Sequence, residues 1–298
     1  MGKIFYPFFI PDFFRTSNVR KFLDKTGKNY CNLILKWYNL TIKRKETTKM
    51  NVVVFDTETV NLEKPFCYNI GYTILNVDNG KTLAKRDYVV EQVWHNPMLF
   101  ITAYYADKRE IYVNAMRSRK TLMAKYGYIC QAMIRDFIKY EVAGAYAFNS
   151  PFDDKVFAYN SEWFRCNNPF DNIPIFDIRG YVHEFLVGDD FKEFCEDYGY
   201  FTDTGNYSTT AEVVYRYITG NAEFIEDHTA LSDSEIEAEI LLECIKRGAK
   251  VNTDYKAKRS IKREVDRFLR VNTRDGEIYS FPYTSIKINE NKTDIKLK

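Results

Sequence analysis

Val52-Val53-Val54-Phe55-Asp56-Thr57-Glu58-Thr59 is the stretch on which the fold turns. Four consecutive apolar residues fit a strand buried on both faces, inside a helix-covered sheet, better than the alternating pattern of a half-exposed strand. Two carboxylates close the run. Side chains at i and i+2 of a strand share a face, so Asp56 and Glu58 point the same way at the strand's C-terminal end. Charges abutting a buried strand cost free energy unless they are paired or bound to metal, and a shared cation is the natural consequence.

Working outward, residues 68–77 and 83–90 read as two further strands around the turn Asp78-Asn79-Gly80. Residues 98–141 carry helical spacing with mixed charge, including Ala132, Ile134, Phe137 and Ile138 before Glu141. Strand character returns over 142–148 and over 173–176, and 152–159 between them reads as a helix. Helices are expected over 192–198, 211–218 and 234–247, the last stopped by Gly248. Strands alternating with helices predict an α/β fold, a mixed sheet flanked by helices on both faces. The domain is expected to occupy 50–250. A basic, aromatic N-terminal extension (1–49) precedes it, and a basic C-terminal extension (251–298) follows, with an amphipathic segment over 256–271 and a hairpin around Gly276.

The chain has 298 residues and an ordinary 45% apolar content, enough for one sizeable domain with appendages. Its formal charge of +2 hides a strong segregation. Residues 1–49 hold eight Lys and three Arg against three acids, and 249–298 hold eight Lys and five Arg against seven acids, so the middle is strongly acidic. Acidic centre and basic flanks fit a carboxylate-built site whose flanks hold a phosphate backbone; solvated tails are the alternative. The six cysteines include no Cys-x-x-Cys pair, which argues against a zinc ribbon or a dense disulfide framework and for thiols in a reducing cytoplasm. The apolar stretch 4–14 is broken by Pro7, Pro11 and Asp12 and is too short to span a bilayer, so neither export nor a membrane segment is expected.

Two more fragments carry chemistry. Asn149-Ser150-Pro151-Phe152-Asp153 follows the strand 142–148, and Asp153 enters the first turn of a helix, where an acid is also favoured by the helix dipole. By spacing Asp153 is the inward carboxylate and Asp154 its solvent-facing neighbour. His228 and Asp233, in His228-Thr229-Ala230-Leu231-Ser232-Asp233, lie in a loop and at the start of the Glu-rich helix. Asp233 capping that helix and His228 pairing at the surface with Glu226 or Asp227 are the structural alternatives. His95 and His183 are weaker candidates, one in a loop and the other in a partly buried setting. Tyr104, Tyr105 and Tyr146 are candidates to stack on unpaired bases, and the basic run 256–270 to grip phosphate or dock a partner.

Taken in order, these fragments resemble the three motifs of the DEDDh family of 3′-to-5′ exonucleases, whose members include the epsilon proofreading subunit of bacterial DNA polymerase III, ribonuclease T and oligoribonuclease. The matching region is about 51–248. The resemblance implies a ribonuclease H-like fold in which Asp56, Glu58, Asp153 and Asp233 bind two divalent ions, Mg²⁺ or Mn²⁺, and His228 is the general base. It also implies that Thr59 lies beside the 3′-terminal nucleotide and that Asn149 orders the site. Where many relatives have Gly two residues after the Glu of the first motif, Val60 stands here. Two ions can activate a water and relieve charge on the leaving oxygen of a phosphodiester. The expected activity is removal of nucleoside 5′-monophosphates from single-stranded 3′ ends, DNA before RNA, with a polymerase or replication partner in view. The alternatives are an RNA or short-oligonucleotide exonuclease, or a non-catalytic nucleic-acid-binding module.

Overall fold

A computed structural model of the chain describes residues 50–100, 103, 109–263, 268–272, 278–289 and 292–297. The N-terminal extension therefore lies outside the described residues, as do Tyr104 and Tyr105. Two compact units divide the rest. The described residues up to Gly188, with Thr210–Ala257, make the first; Asp189–Thr209 and the described residues from Lys258 onward make the second.

The first unit is built on six strands: β1 (Asn51–Thr59), β2 (Cys67–Asn76), β3 (Lys81–Val90), β4 (Leu122–Ala124), β5 (Val142–Ala147) and β6 (Ile175–Asp177). They lie in the order β4-β3-β2-β1-β5-β6. β1, β2 and β3 form an antiparallel meander, while β5, β6 and β4 each run parallel to the neighbour they join. The helices are α1 (Glu91–Trp94), α2 (Pro97–Phe100), α3 (Arg109–Arg117), α4 (Tyr126–Lys139), α5 (Ser150–Trp163), α6 (Ile178–Phe185), α7 (Asp189–Tyr198, in the second unit), α8 (Ala211–Thr219) and α9 (Ala230–Lys246). This is the mixed, helix-flanked sheet that the alternation predicts.

Val52, Val53, Val54 and Phe55 are all fully buried, because both faces of central β1 are covered. Val53 and Phe55 face an aromatic core in which Phe55 stacks on Phe170 at 4.3 Å and meets Phe157 of α5 edge-on at 5.7 Å. The opposite face lies under α9. Register fixes this: Val54 pairs with Thr73 and Asp56 with Gly71. Thr73 hydrogen-bonds Ser234 at 3.1 Å, and Gly71 touches the α9 backbone so closely that a Cβ there would lie 2.1 Å from Ala230 and Leu231 backbone atoms. Asp56 and Glu58 thus share the face on which α9 begins.

Several details differ from the reading of the sequence. The span 98–141 is not one helical region: α3 and α4 are separated by β4, a strand of three residues too short for its periodicity to register. α6 had no counterpart in the reading. α9 starts at Ala230, one turn earlier than expected. Tyr146 is no base-stacking candidate, being fully buried, with its hydroxyl donating to Asn252 Oδ1 at 2.9 Å. His183 is buried on α6.

In the second unit, β7 (Phe268–Asn272), β8 (Ile278–Asn289) and β9 (Lys292–Leu297) form an antiparallel three-stranded sheet. β7 and β8 bracket Gly276, as the expected hairpin requires.

Candidate active site

Asp56 and Glu58 stand on β1, Asp233 is the fourth residue of α9, and all three converge. One carboxylate oxygen from each lies within 4.8 Å of the others. A second trio shares Asp233: ligand atoms of Glu226, His228 and Asp233 also lie within 4.8 Å of one another. Asp233 does not cap its helix, since Thr229 holds that position and the Asp233 amide donates to the Thr229 carbonyl at 2.9 Å. Its Oδ1 is buried and accepts no hydrogen bond from the described residues, which is costly for a carboxylate oxygen unless a cation meets it.

Asp153 reaches the same region from the first turn of α5. It is 2% exposed, whereas Asp154 faces solvent. Asp153 belongs to neither trio; the Thr57 hydroxyl donates to its Oδ1 at 2.6 Å, and the charge of Asp56 bears on it. Thr57 points away from its neighbours Asp56 and Glu58, as strand alternation demands, and so locks the α5 carboxylate from the other side of β1.

Asn149, at the N-cap of α5, has left-handed backbone (φ 63°), and its amide donates to Asp177 Oδ1 at 2.9 Å. The same Asp177 oxygen accepts the Arg179 amide at the start of α6. Thr59 ends β1 with its hydroxyl 3.5 Å from the Asn61 carbonyl. His228 is also left-handed (φ 51°), a conformation costly for a residue with a Cβ. Its Nδ1 lies 3.5 Å from Glu226 Oε2; the Glu226 side chain is 10% exposed and the His228 side chain 35%, so the pair sits at the rim with its acid turned inward.

Packing acids together raises their proton affinity. Asp56 is pushed up to about 7, first by burial and then by Glu226, against the Thr57 amide that favours its charge. Asp233 is pushed up to about 11 by burial, then by Asp56, Glu226 and Glu58. Asp153 rises well above the usual carboxylate range through burial and the charge of Asp56. The crowded negative charge, the orphaned oxygen and the carboxylate donors of Asp56, Glu58 and Asp233 together fit hard divalent cations.

Four residues important to this geometry escaped the reading of the sequence. Glu237 follows Asp233 by one helical turn, is 4% exposed, and accepts the Phe148 amide at 3.1 Å. Burial and the charges of Asp56 and Asp153 raise it well above the carboxylate range. The i, i+4 spacing of Asp233 and Glu237 was the signal available. Asn69 is fully buried on β2; its amide donates to Asp87 at 2.6 Å and its oxygen accepts the Ala230 amide at 2.9 Å, fixing the start of α9. Thr57 and Gly71 complete the set, and neither carries a local signal.

No known protein-family profile matches the chain, and no curated protein does. Solved structures do. A 3′-exonuclease that recognises the 3′ end of a histone mRNA stem-loop is 10% identical, with 84% of this chain and 92% of that chain covered, at a TM-score of 0.50. The nuclease domain of 3′hExo, a DEDDh family member bound to rAMP, is 12% identical, covering 68% and 96%, at a TM-score of 0.46. A full-length 3′-exonuclease is 12% identical, covering 73% and 92%, at 0.45. The mixed sheet with its flanking helices and the likeness to the first of these structures agree on a ribonuclease H-like fold.

Proposed function

We propose that this chain is a metal-dependent 3′-to-5′ exonuclease that releases nucleoside 5′-monophosphates from single-stranded ends. The convergence of Asp56, Glu58 and Asp233, with His228 beside Asp233, is the observation that carries the reading. Asp56, Glu58, Asp153 and Asp233 would hold two divalent cations, Mg²⁺ or Mn²⁺. Bound there, the cations supply charge neutralisation to the phosphodiester and a lowered pKa to the attacking water.

The protein's own groups do the rest. His228 takes the proton of the attacking water as general base, and Glu226 beside Nδ1 orients the ring so that Nε2 receives it. Thr57 holds Asp153 to the cluster, and Asn69 holds the α9 end that carries Asp233. Thr59 and Asn149 are assigned to the terminal nucleotide and to ordering the site. On this reading the basic ends hold the phosphate backbone or dock a replication partner such as a polymerase, two roles that the salt dependence of binding separates. Among the described residues no helix is long and apolar enough to cross a membrane.

DNA is the first polymer to test, in line with proofreading relatives; the solved 3′-exonuclease that recognises an mRNA stem-loop makes RNA the necessary companion. The test is direct. Single-stranded DNA and matching RNA, labelled at the 5′ end, are incubated with Mg²⁺, Mn²⁺ or EDTA. A ladder shortening from the 3′ end with metal and absent in EDTA is expected. Internal cuts would refute the exonuclease reading, and no cleavage of either polymer would leave a binding module.

A further inference from the structure

The loop 60–66 leaves β1 immediately after Glu58 and Thr59, and it closes through a Val60 amide to Phe66 carbonyl bond of 3.0 Å. Phe66 therefore stays at the end of the sheet where the carboxylates gather. Asn160, fully buried on α5, clamps the helix to that same end: it donates to the Pro65 carbonyl at 2.8 Å and accepts the Cys67 amide at 3.2 Å. Beyond the clamp, Trp163 meets Phe66 edge-on at 5.1 Å and stacks against Tyr159 at 6.4 Å with 18° between the rings. Ring contacts hold this tryptophan in place, yet 62% of it is exposed. Lys155, one turn before the partly buried Tyr159, is exposed, as is Lys64 at the loop, each beside an exposed acid, Asp154 and Glu63.

We propose that this aromatic edge seats the strand upstream of the scissile bond: Trp163 and Tyr159, backed by Phe66, stack unpaired nucleobases while Lys155 and Lys64 meet the phosphates. The proposal rests on the exonuclease reading above and specifies where its substrate lies. An exposed indole backed by further rings, with lysines close by, is the chemistry that takes single strands without reading their sequence. From Asp153 to Trp163 the helix advances about 15 Å, roughly the length of four stacked nucleotides. Longer substrates should therefore bind better until about that length.

Two readouts test it. Steady-state rates are compared on a single-stranded 20-mer and on a nitrophenyl ester of a nucleoside 5′-monophosphate, which has no upstream nucleotides. Trp163→Ala should raise KM for the 20-mer about tenfold and leave the ester rate unchanged, and Trp163→Phe should recover most of the loss. In EDTA, binding of the 20-mer should quench indole emission in the wild type and far less in Trp163→Phe. Because this second readout needs no catalysis, it separates the platform from the activity. A wild type inactive on both substrates but quenched on binding would sink the exonuclease reading alone. Equal 20-mer KM and affinity for Trp163→Ala and wild type, with circular dichroism showing both folded, would overturn the platform.

Discussion

Replacing Asp56 with Asn should stabilise the metal-free protein at neutral pH. In the folded chain the Asp56 carboxyl titrates at about 7, against 3.8 for the ordinary group. Between those values the native state holds a proton that the unfolded chain has released, so stability falls as pH rises through this window. The contribution is fully present below about pH 4 and gone above about pH 7. Each tenfold change in proton affinity corresponds to about 1.4 kcal/mol, which sets a ceiling of roughly 4 kcal/mol for Asp56 alone. Asp153, Asp233 and Glu237 share the proton traffic with the same sign, so about 2 kcal/mol is the working expectation for the single substitution. Asn keeps the side chain's shape and removes both its own charge and its repulsion of those three neighbours. Urea unfolding in EDTA at pH 5 to 8 measures it. The wild type should lose stability across the series, and Asp56→Asn should follow a flatter line lying about 2 kcal/mol higher at pH 8. Saturating Mn²⁺ should restore the wild type, by about 2.7 kcal/mol at a hundredfold Kd, and do little for the variant. A wild type that gains stability from pH 5 to 8 in EDTA, or a variant no more stable at pH 8, would refute the reasoning.

His228→Ala should keep the wild-type unfolding curve and lose about 10²-fold or more in kcat, as removal of a general base does; a wild-type rate would remove His228 from the mechanism. Thr57→Val should release Asp153 at a cost of about 1 kcal/mol in stability and weaken metal binding in calorimetry. Gly71→Ala should be far more damaging, because its methyl group would collide with α9 backbone rather than with a flexible side chain. A loss of about 3 kcal/mol or more, with metal affinity falling because Asp233 moves, is expected, and an unchanged melting curve would contradict the packing described.

Local patterns made much of this molecule legible. The run 52–55 announced a strand covered on both faces, because every position along it is apolar, and the two acids behind it followed from period-two geometry. Helical spacing separated buried Asp153 from exposed Asp154. Long-range facts were not legible. Gly71 matters only because register sets it opposite Asp56 beneath a helix that begins more than 150 positions later. Asn69 acts through a backbone amide of that helix, and Thr57 through a side chain from another. β4 is too short to have a period, and Tyr146, polar at its tip, reads alike whether its hydroxyl finds water or Asn252.

Acids distant in sequence meet in one proposed cation-binding centre. Crystals grown with Mn²⁺ and measured at its absorption edge would test this most directly. Anomalous density bounded by Asp56, Glu58 and Asp233 and lost in Asp233→Asn is the predicted result. Density elsewhere, or none at saturating Mn²⁺, would contradict it.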